Sequence, residues 1–300
     1  MIAFGCSVAE AEAYRRYAGP GIERAAEPDS AVYPFAAVGT TARTYNLLLD
    51  AAAAHDDLEA LVLVHPHAEI ADPGFCEKLR AALRDPDVAV AGSAGATGVR
   101  SIAWWEGVVS SAPVTHRYHE HGGGELPGFC WATPEAPLGE VETVDGFLMA
   151  LSPWAVRNLR FDEGLLLGHG FDFDYCMRAR AAGRRVVTAD LRAVHHRSLE
   201  LIEDLELWVE AQIKVAEKWD GRMPGVAPDG RGWKERARRA EAAREAARAL
   251  AYANLLGSDA RVLRLERELA ELEGSLSWRV TAPLRRLNRW RAGRLRGNRS

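Results

Sequence analysis

His65, His67 and Glu69 follow the apolar run LEALVLV (58–64) at alternate positions. Alternate side chains of an extended chain share a face, so the three groups would point the same way. Imidazole and carboxylate together suit Mn²⁺, Zn²⁺ or Fe²⁺, whereas Mg²⁺ prefers oxygen alone. Histidines that close a strand through hydrogen bonds would give the same spacing without a metal. His195 and His196 end a second apolar stretch, VVTADLRAVHH. Neighbouring side chains of a strand point oppositely, so at most one of this pair faces a common site.

Carboxylates supply the other chemistry. Asp172 and Asp174 open the segment GHGFDFDYCMRARAAG. A carboxylate at a helix N-terminus is stabilised by free amides and the macrodipole, which accounts for one of the two; the other is open to general-base work. Asp145 lies inside VETVDGFLMAL, which reads as an apolar strand. An unpaired carboxylate there is costly, and a ligand or hydrogen-bond partner is implied. His116, His119, Glu120 and His121 stand beside a triple glycine and read as a functional loop more than as a metal site.

The elements that must position these groups alternate between strand and helix. A strand begins at 2–4, a helix follows at 41–54, and a fully buried strand covers 58–64. A helix from Pro73 to Leu83 and a strand at 88–91 come next. Long loops with isolated strands fill 92–137, a strand covers 141–151, and a helix runs from Phe171 to Ala182. Strands at 185–189 and before His195 lead to a helix over 201–219. The pattern predicts an α/β fold with a largely parallel sheet, in which ligands sit beyond the carboxyl ends of the strands. Residues 65–69 fall at such an end.

Asp220 to Gly232 is rich in glycine and proline and reads as a linker. Residues 233–276 are helical, with Val262, Leu265, Leu269, Leu272 and Leu276 spaced as in a short coiled coil; the helix either self-associates or folds back on the domain. Residues 277–300 form a basic amphipathic tail. No acid follows Glu273, whereas eight arginines do, although the whole chain has a formal charge of −4. Such a tail suits an anionic membrane leaflet or nucleic acid, or it pairs with its own acidic body. Cys6, Cys76, Cys130 and Cys176 form no CxxC pair, and neither a leader peptide nor a spanning apolar run is evident. A cytoplasmic location is expected, with peripheral contact at the inner face of the plasma membrane.

Several ordered segments, FGCSV, TYNLLLDAA, LVLVHPHAEIADPGF, GVRSIAWWEG, VDGFLMALSPWAV, GFDFDYCMRARAAGRRVV and AVHHRSLE, resemble the family 2 glycosyltransferases, and within them the StrF-type subgroup. The resemblance spans roughly residues 1–219. It implies a single GT-A domain with a mixed, mostly parallel sheet, followed by a C-terminal helical extension. It further implies transfer of a sugar, with inversion, from a nucleotide-diphosphate donor to a glycan or other hydroxyl acceptor. Under it, Asp172 matches the catalytic base with Asp174 in support, and a divalent metal, Mn²⁺ or Mg²⁺, falls among His67, Glu69 and one of His195 and His196. Asp145, Gly146, Trp104 and Trp105 match the sugar and acceptor pocket, and Glu27, Asp29 or Ser30 the donor-base pocket. His67 stands where the subgroup carries aspartate. The segment SLSWRVTAPLRRL is similar to one found in surface-polysaccharide glycosyltransferases, which implies a cell-envelope role; nucleic acid is not expected as a partner. A non-catalytic sugar-nucleotide or glycan-binding subunit, recruiting a partner through its C-terminal helix, is the alternative.

Overall fold

The strands, in chain order, are β1 (Ile2–Val8), β2 (Ala31–Ala36), β3 (Ala60–Val64), β4 (Ala68–Ile70), β5 (Val88–Gly92), β6 (Ala94–Thr97) and β7 (Val108–Ser111). There follow β8 (Val114–Arg117), β9 (Glu125–Pro127), β10 (Glu140–Val141), β11 (Thr143–Val144), β12 (Leu148–Leu151), β13 (Arg185–Thr188) and β14 (Ala193–His196). The α-helices are α1 (Ala11–Ala13), α2 (Gly19–Ala25), α3 (Thr41–Ala53), α4 (Phe75–Ala82), α5 (Pro153–Asn158), α6 (Phe171–Ala181) and α7 (Leu205–Lys218). The structure is a computed structural model that describes residues 1–117, 125–127, 136–165, 168–197, 205–219 and 222, with isolated positions at 241, 242, 244, 265, 267, 270 and 271. The expected linker, the C-terminal helix and the basic tail therefore lie outside the described residues, apart from those isolated positions. So do His119, Glu120 and His121.

Seven strands form the central sheet in the order β10-β13-β5-β12-β3-β1-β2. β1 pairs in parallel with β2 and β3, and β13 with β5. β12 runs antiparallel between β3 and β5, as β10 does beside β13. The sheet is thus mixed and mostly parallel, and the α/β expectation holds. All five residues of β3 are buried, as the uninterrupted apolar run requires of a strand covered on both faces.

The two-residue period of the strands divides the core. Ile2, Phe4 and Cys6 point to one side, where Ile22, Phe75, Leu79, Trp208 and Val215 come from α2, α4 and α7. Ala3, Leu61 and Leu63 point to the other, against Tyr45, Leu48 and Leu49 of α3 and Tyr175 of α6. Helix starts follow local chemistry. Thr40 caps α3 by accepting from the Arg43 amide at 3.2 Å, and Ser152 caps α5 immediately before Pro153, where a proline lacks nothing the helix needs.

Two expectations about extended chain give way. Residues 65–67 form a turn, with the Ala68 amide donating to the His65 carbonyl at 2.8 Å, because Pro66 cannot continue a ladder. Residues 141–151 are not one strand. β11 ends at Val144, and Asp145 accepts from the Phe147 amide at 3.1 Å to turn the chain into β12. The carboxylate thereby bonds backbone instead of interrupting a sheet. Among the described residues, no helix is long and apolar enough to cross a membrane.

Candidate functional site

The carboxyl end of β3 is the meeting point. Leu148 pairs with Val64, so the 145–147 turn sits beside His65, whose amide donates to the Phe147 carbonyl at 2.9 Å. Beyond that edge a second sheet, β4-β14-β8-β9, brings His195 opposite Ala68 and beside His116. The His65 ring lies 5.6 Å from His67 and 5.9 Å from His195, while His195 stacks on Phe147 at 4.8 Å. On the other side of the turn, the Gly146 amide donates to Asp172 Oδ2 at 2.8 Å. Residues 65–69, Asp145, Asp172 and the histidine pair thus gather at one edge of the domain.

Gly146 is what permits the approach of Asp172. A Cβ there would stand 2.6 Å from Phe171 Cζ and 3.0 Å from Asp172 Oδ2, so any side chain would push the N-terminus of α6 away. Gly170, at φ +77°, supplies the left-handed residue that starts this helix, a conformation glycine adopts without cost.

Asp145 and Asp172 form a coupled carboxylate pair. Burial, reinforced by the charge of Asp172, pushes Asp145 up to about 7, against the amides of Phe147 and Gly146 that favour its ionised form. Burial likewise raises Asp172, opposed by the amides of Phe173 and Gly146. Asp145, raised by burial and by the like charge of Asp172, therefore titrates near neutrality, where a carboxyl group can accept and return a proton.

The imidazoles beside them are neutral. Burial lowers His65 to about 4 and His116 to about 3, and it holds His195 well below the usual imidazole range, with His116, His65 and His67 adding repulsion. Both ring nitrogens of His195 are buried without a hydrogen-bond partner, as is Nδ1 of His67.

A divalent cation does not fit the expected ligands. Glu69 gives one oxygen to Arg24 at 2.6 Å and the other to His196 Nε2 at 3.0 Å. His195 is turned to Phe147 and away from His196, which stacks on Tyr17 at 3.8 Å. Among the described residues, no three His, Cys, Asp or Glu side chains are arranged to hold a metal. A site for Mn²⁺ or Mg²⁺ needs carboxylate oxygens, and the one supplied by the 65–69 segment is already committed to Arg24 and His196.

Further corrections follow. Asp174 is 1% exposed and lies under α7, bonded to Arg178 at 2.9 Å, Lys218 Nζ at 2.6 Å and the Trp219 indole at 2.8 Å. It anchors a helix and does not face the cleft. Glu27, Asp29 and Ser30 precede β2, whose first residue pairs with Ala3, and so sit at the amino ends of the parallel strands. There Glu27 grips Arg80 through both oxygens and its amide bonds Ser30 Oγ. They lie at the end of the sheet opposite to the cleft. Trp104 is 3% exposed and packs in the core cluster of Ile102 and Trp208; Trp105 meets it edge-on and is partly buried.

Three contributors are not among the expected site residues. Tyr17 belongs to a π turn, Tyr14–Ala18, in which the Gly19 amide reaches the Tyr14 carbonyl. Pro20 cannot donate to Arg16, and a widened turn results, a feature frequent at functional sites. The Gly-Pro pair inside a helical stretch was the available signal. Glu10, just past β1, approaches His67 Nε2 at 3.3 Å and Arg197 at 3.5 Å. Arg197 is the described non-glycine residue with positive φ, at 64°.

No family model matches the chain. The α/β sheet with polar groups at its strand ends defines the class, and a known relative narrows it. The chain is 30% identical over 219 residues to the streptomycin biosynthesis protein StrF of Streptomyces griseus, covering 71% of this chain and 73% of that protein. The chain belongs to the family of StrF. Among solved structures it is similar to the mannosyltransferase PcManGT of Pyrobaculum calidifontis in complex with GDP-Man and Mn²⁺, at TM-score 0.43 and 15% identity, covering 93% of this chain and 81% of that one. It is also similar to residues 1–349 of TarS from S. aureus, at TM-score 0.44 and 10% identity, covering 81% and 71%.

Proposed function

We propose that residues 1–219 transfer a sugar from a nucleoside-diphosphate donor to an acceptor hydroxyl with inversion. The observation that carries this reading is the pair of carboxylates Asp145 and Asp172 on the Gly146 turn at the carboxyl end of the central strand, with a cluster of neutral imidazoles on the other side of that turn. Asp172 takes the proton of the acceptor hydroxyl as the oxygen attacks the anomeric carbon from the face opposite the leaving group. The bond from that carbon to the diphosphate breaks, and its electron pair departs with the nucleoside diphosphate. Asp145, uncharged for part of the time near neutrality, limits the negative charge facing the donor. Gly146 keeps Asp172 at the turn.

Membership of the StrF family and the ordered sequence segments support the reading. A role in surface-polysaccharide or glycoconjugate synthesis, contact of the basic tail with an anionic leaflet and pairing through the C-terminal helix are parts of the same proposal. Purified protein supplied with UDP-, GDP- and dTDP-sugars should release nucleotide, and Asp172→Asn should slow release by about 10²-fold or more. Equal rates would remove Asp172 as the base.

A second reading is a subunit that binds a sugar nucleotide without turning it over. The commitment of Glu69 to Arg24 and His196 favours it. Calorimetric binding of a sugar nucleotide with no nucleotide release under any condition would select it.

A further inference from the structure

A departing diphosphate needs positive charge, and the carboxylate best placed to hold a metal for that purpose is engaged by Arg24 and His196. The chain itself supplies a guanidinium and an imidazole at this mouth. Arg197 follows directly on β14, its backbone amide donating to the Arg117 carbonyl and its φ in the left-handed region. Across from it stands His67, 6% exposed. Glu10 spans the two, with Oε1 3.3 Å from His67 Nε2 and Oε2 3.5 Å from Arg197 Nη1.

Three features mark Glu10 as a placeholder rather than a lock. Both contacts are long for charge-assisted bonds. Its side chain is 55% exposed. It is also the N-cap residue of α1 yet makes no capping bond, so moving it costs the helix nothing. A carboxylate with one oxygen toward an imidazole and the other toward a guanidinium occupies the position of a bridging oxyanion, and a guanidinium matches phosphate geometry.

We propose that His67 and Arg197 form the seat of the donor's diphosphate, that its oxygens displace those of Glu10, and that this binding requires no divalent cation. The proposal rests on the glycosyl-transfer reading and deepens it. Asp172 keeps its role, and His67 becomes a hydrogen-bond donor to phosphate instead of a metal ligand.

The test is titration calorimetry of the full chain with UDP, GDP and dTDP, in EDTA and again with Mn²⁺. One of the three should bind with Kd unchanged to within about twofold between the two conditions. Arg197→Ala should weaken it about tenfold or more, through loss of a charge-assisted contact. Glu10→Gln, an exposed and isosteric change, should tighten it about threefold by removing the competing charge. Binding that appears only with Mn²⁺, or that Arg197→Ala leaves at wild-type strength, would overturn the phosphate seat while leaving glycosyl transfer standing. Failure of all three nucleotides in both conditions would remove the glycosyl-transfer reading, and the seat with it.

Discussion

Asp172 and Asp174 lie in the first turn of one helix, two residues apart, and their surroundings make them different groups. Asp174 is neutralised by Arg178 and Lys218, receives the Trp219 indole N–H, and fastens α7 to α6. Among the described residues no cation stands against Asp172; it accepts from the backbone amides of Gly146 and Phe173 and shares its field with Asp145. A carboxylate whose charge is balanced by fixed partners holds structure. One whose charge is opposed by burial and a like neighbour has proton affinity to spend. Spacing put both at a helix N-terminus, and the elements packed against that turn separated them.

The contrast is most severely tested by Asp174→Ala. Breaking one side of a buried ion-pair network costs about 3–5 kcal/mol, so urea unfolding followed through far-UV circular dichroism should show a large loss of stability; a loss below about 1 kcal/mol would reduce the network to a surface ornament. Asp172→Asn should do the reverse. Nucleotide release should fall by about 10²-fold or more, while the melting temperature stays level or rises, because a carboxylate held at raised pKa weakens the fold when ionised.

Asp145→Asn sharpens the comparison through pH. The folded pKa of Asp145 lies above its ordinary value, at about 7, so its contribution to stability is whole below the ordinary carboxylate range and is lost as pH rises toward 7. The variant should match wild type near pH 4 and exceed it at pH 8 by on the order of 2 kcal/mol, discounted from the full shift for the partial exposure of the group. Equal melting temperatures at both pH values would contradict the raised pKa. Smallest is Glu27→Gln at the far end of the sheet. Loss of its pair with Arg80 should cost about 0.2–1 kcal/mol and leave nucleotide release unchanged; a fall in release would place the donor pocket at the amino ends after all.

The sequence was most informative where one force acted alone. The apolar run 58–64 could only be a buried strand, and α3 and α6 end within about a residue or two of where caps and glycines put them. Reading failed where two constraints met in one segment. Pro34 disguised β2, because proline is admitted only to an edge strand, which β2 is; with that strand unseen, Glu27, Asp29 and Ser30 could be taken to follow a strand they precede. Pro66 likewise turned alternating ligands into a corner, so that Glu69 faces Arg24 and His196. Glu10 and Tyr17 lie far in the chain from Arg197, and only the pairing of β14 with β4 and the widened turn before Pro20 bring them together.

The carboxyl ¹³C titration of Asp145, followed by NMR in wild type and in Asp172→Asn, addresses the shared cleft most directly. A midpoint near 7 in wild type that moves down once the neighbouring charge is gone is the result expected of two carboxylates facing one space. An ordinary carboxylate midpoint in wild type, or one that ignores the change at position 172, would mean that the two groups do not share a site.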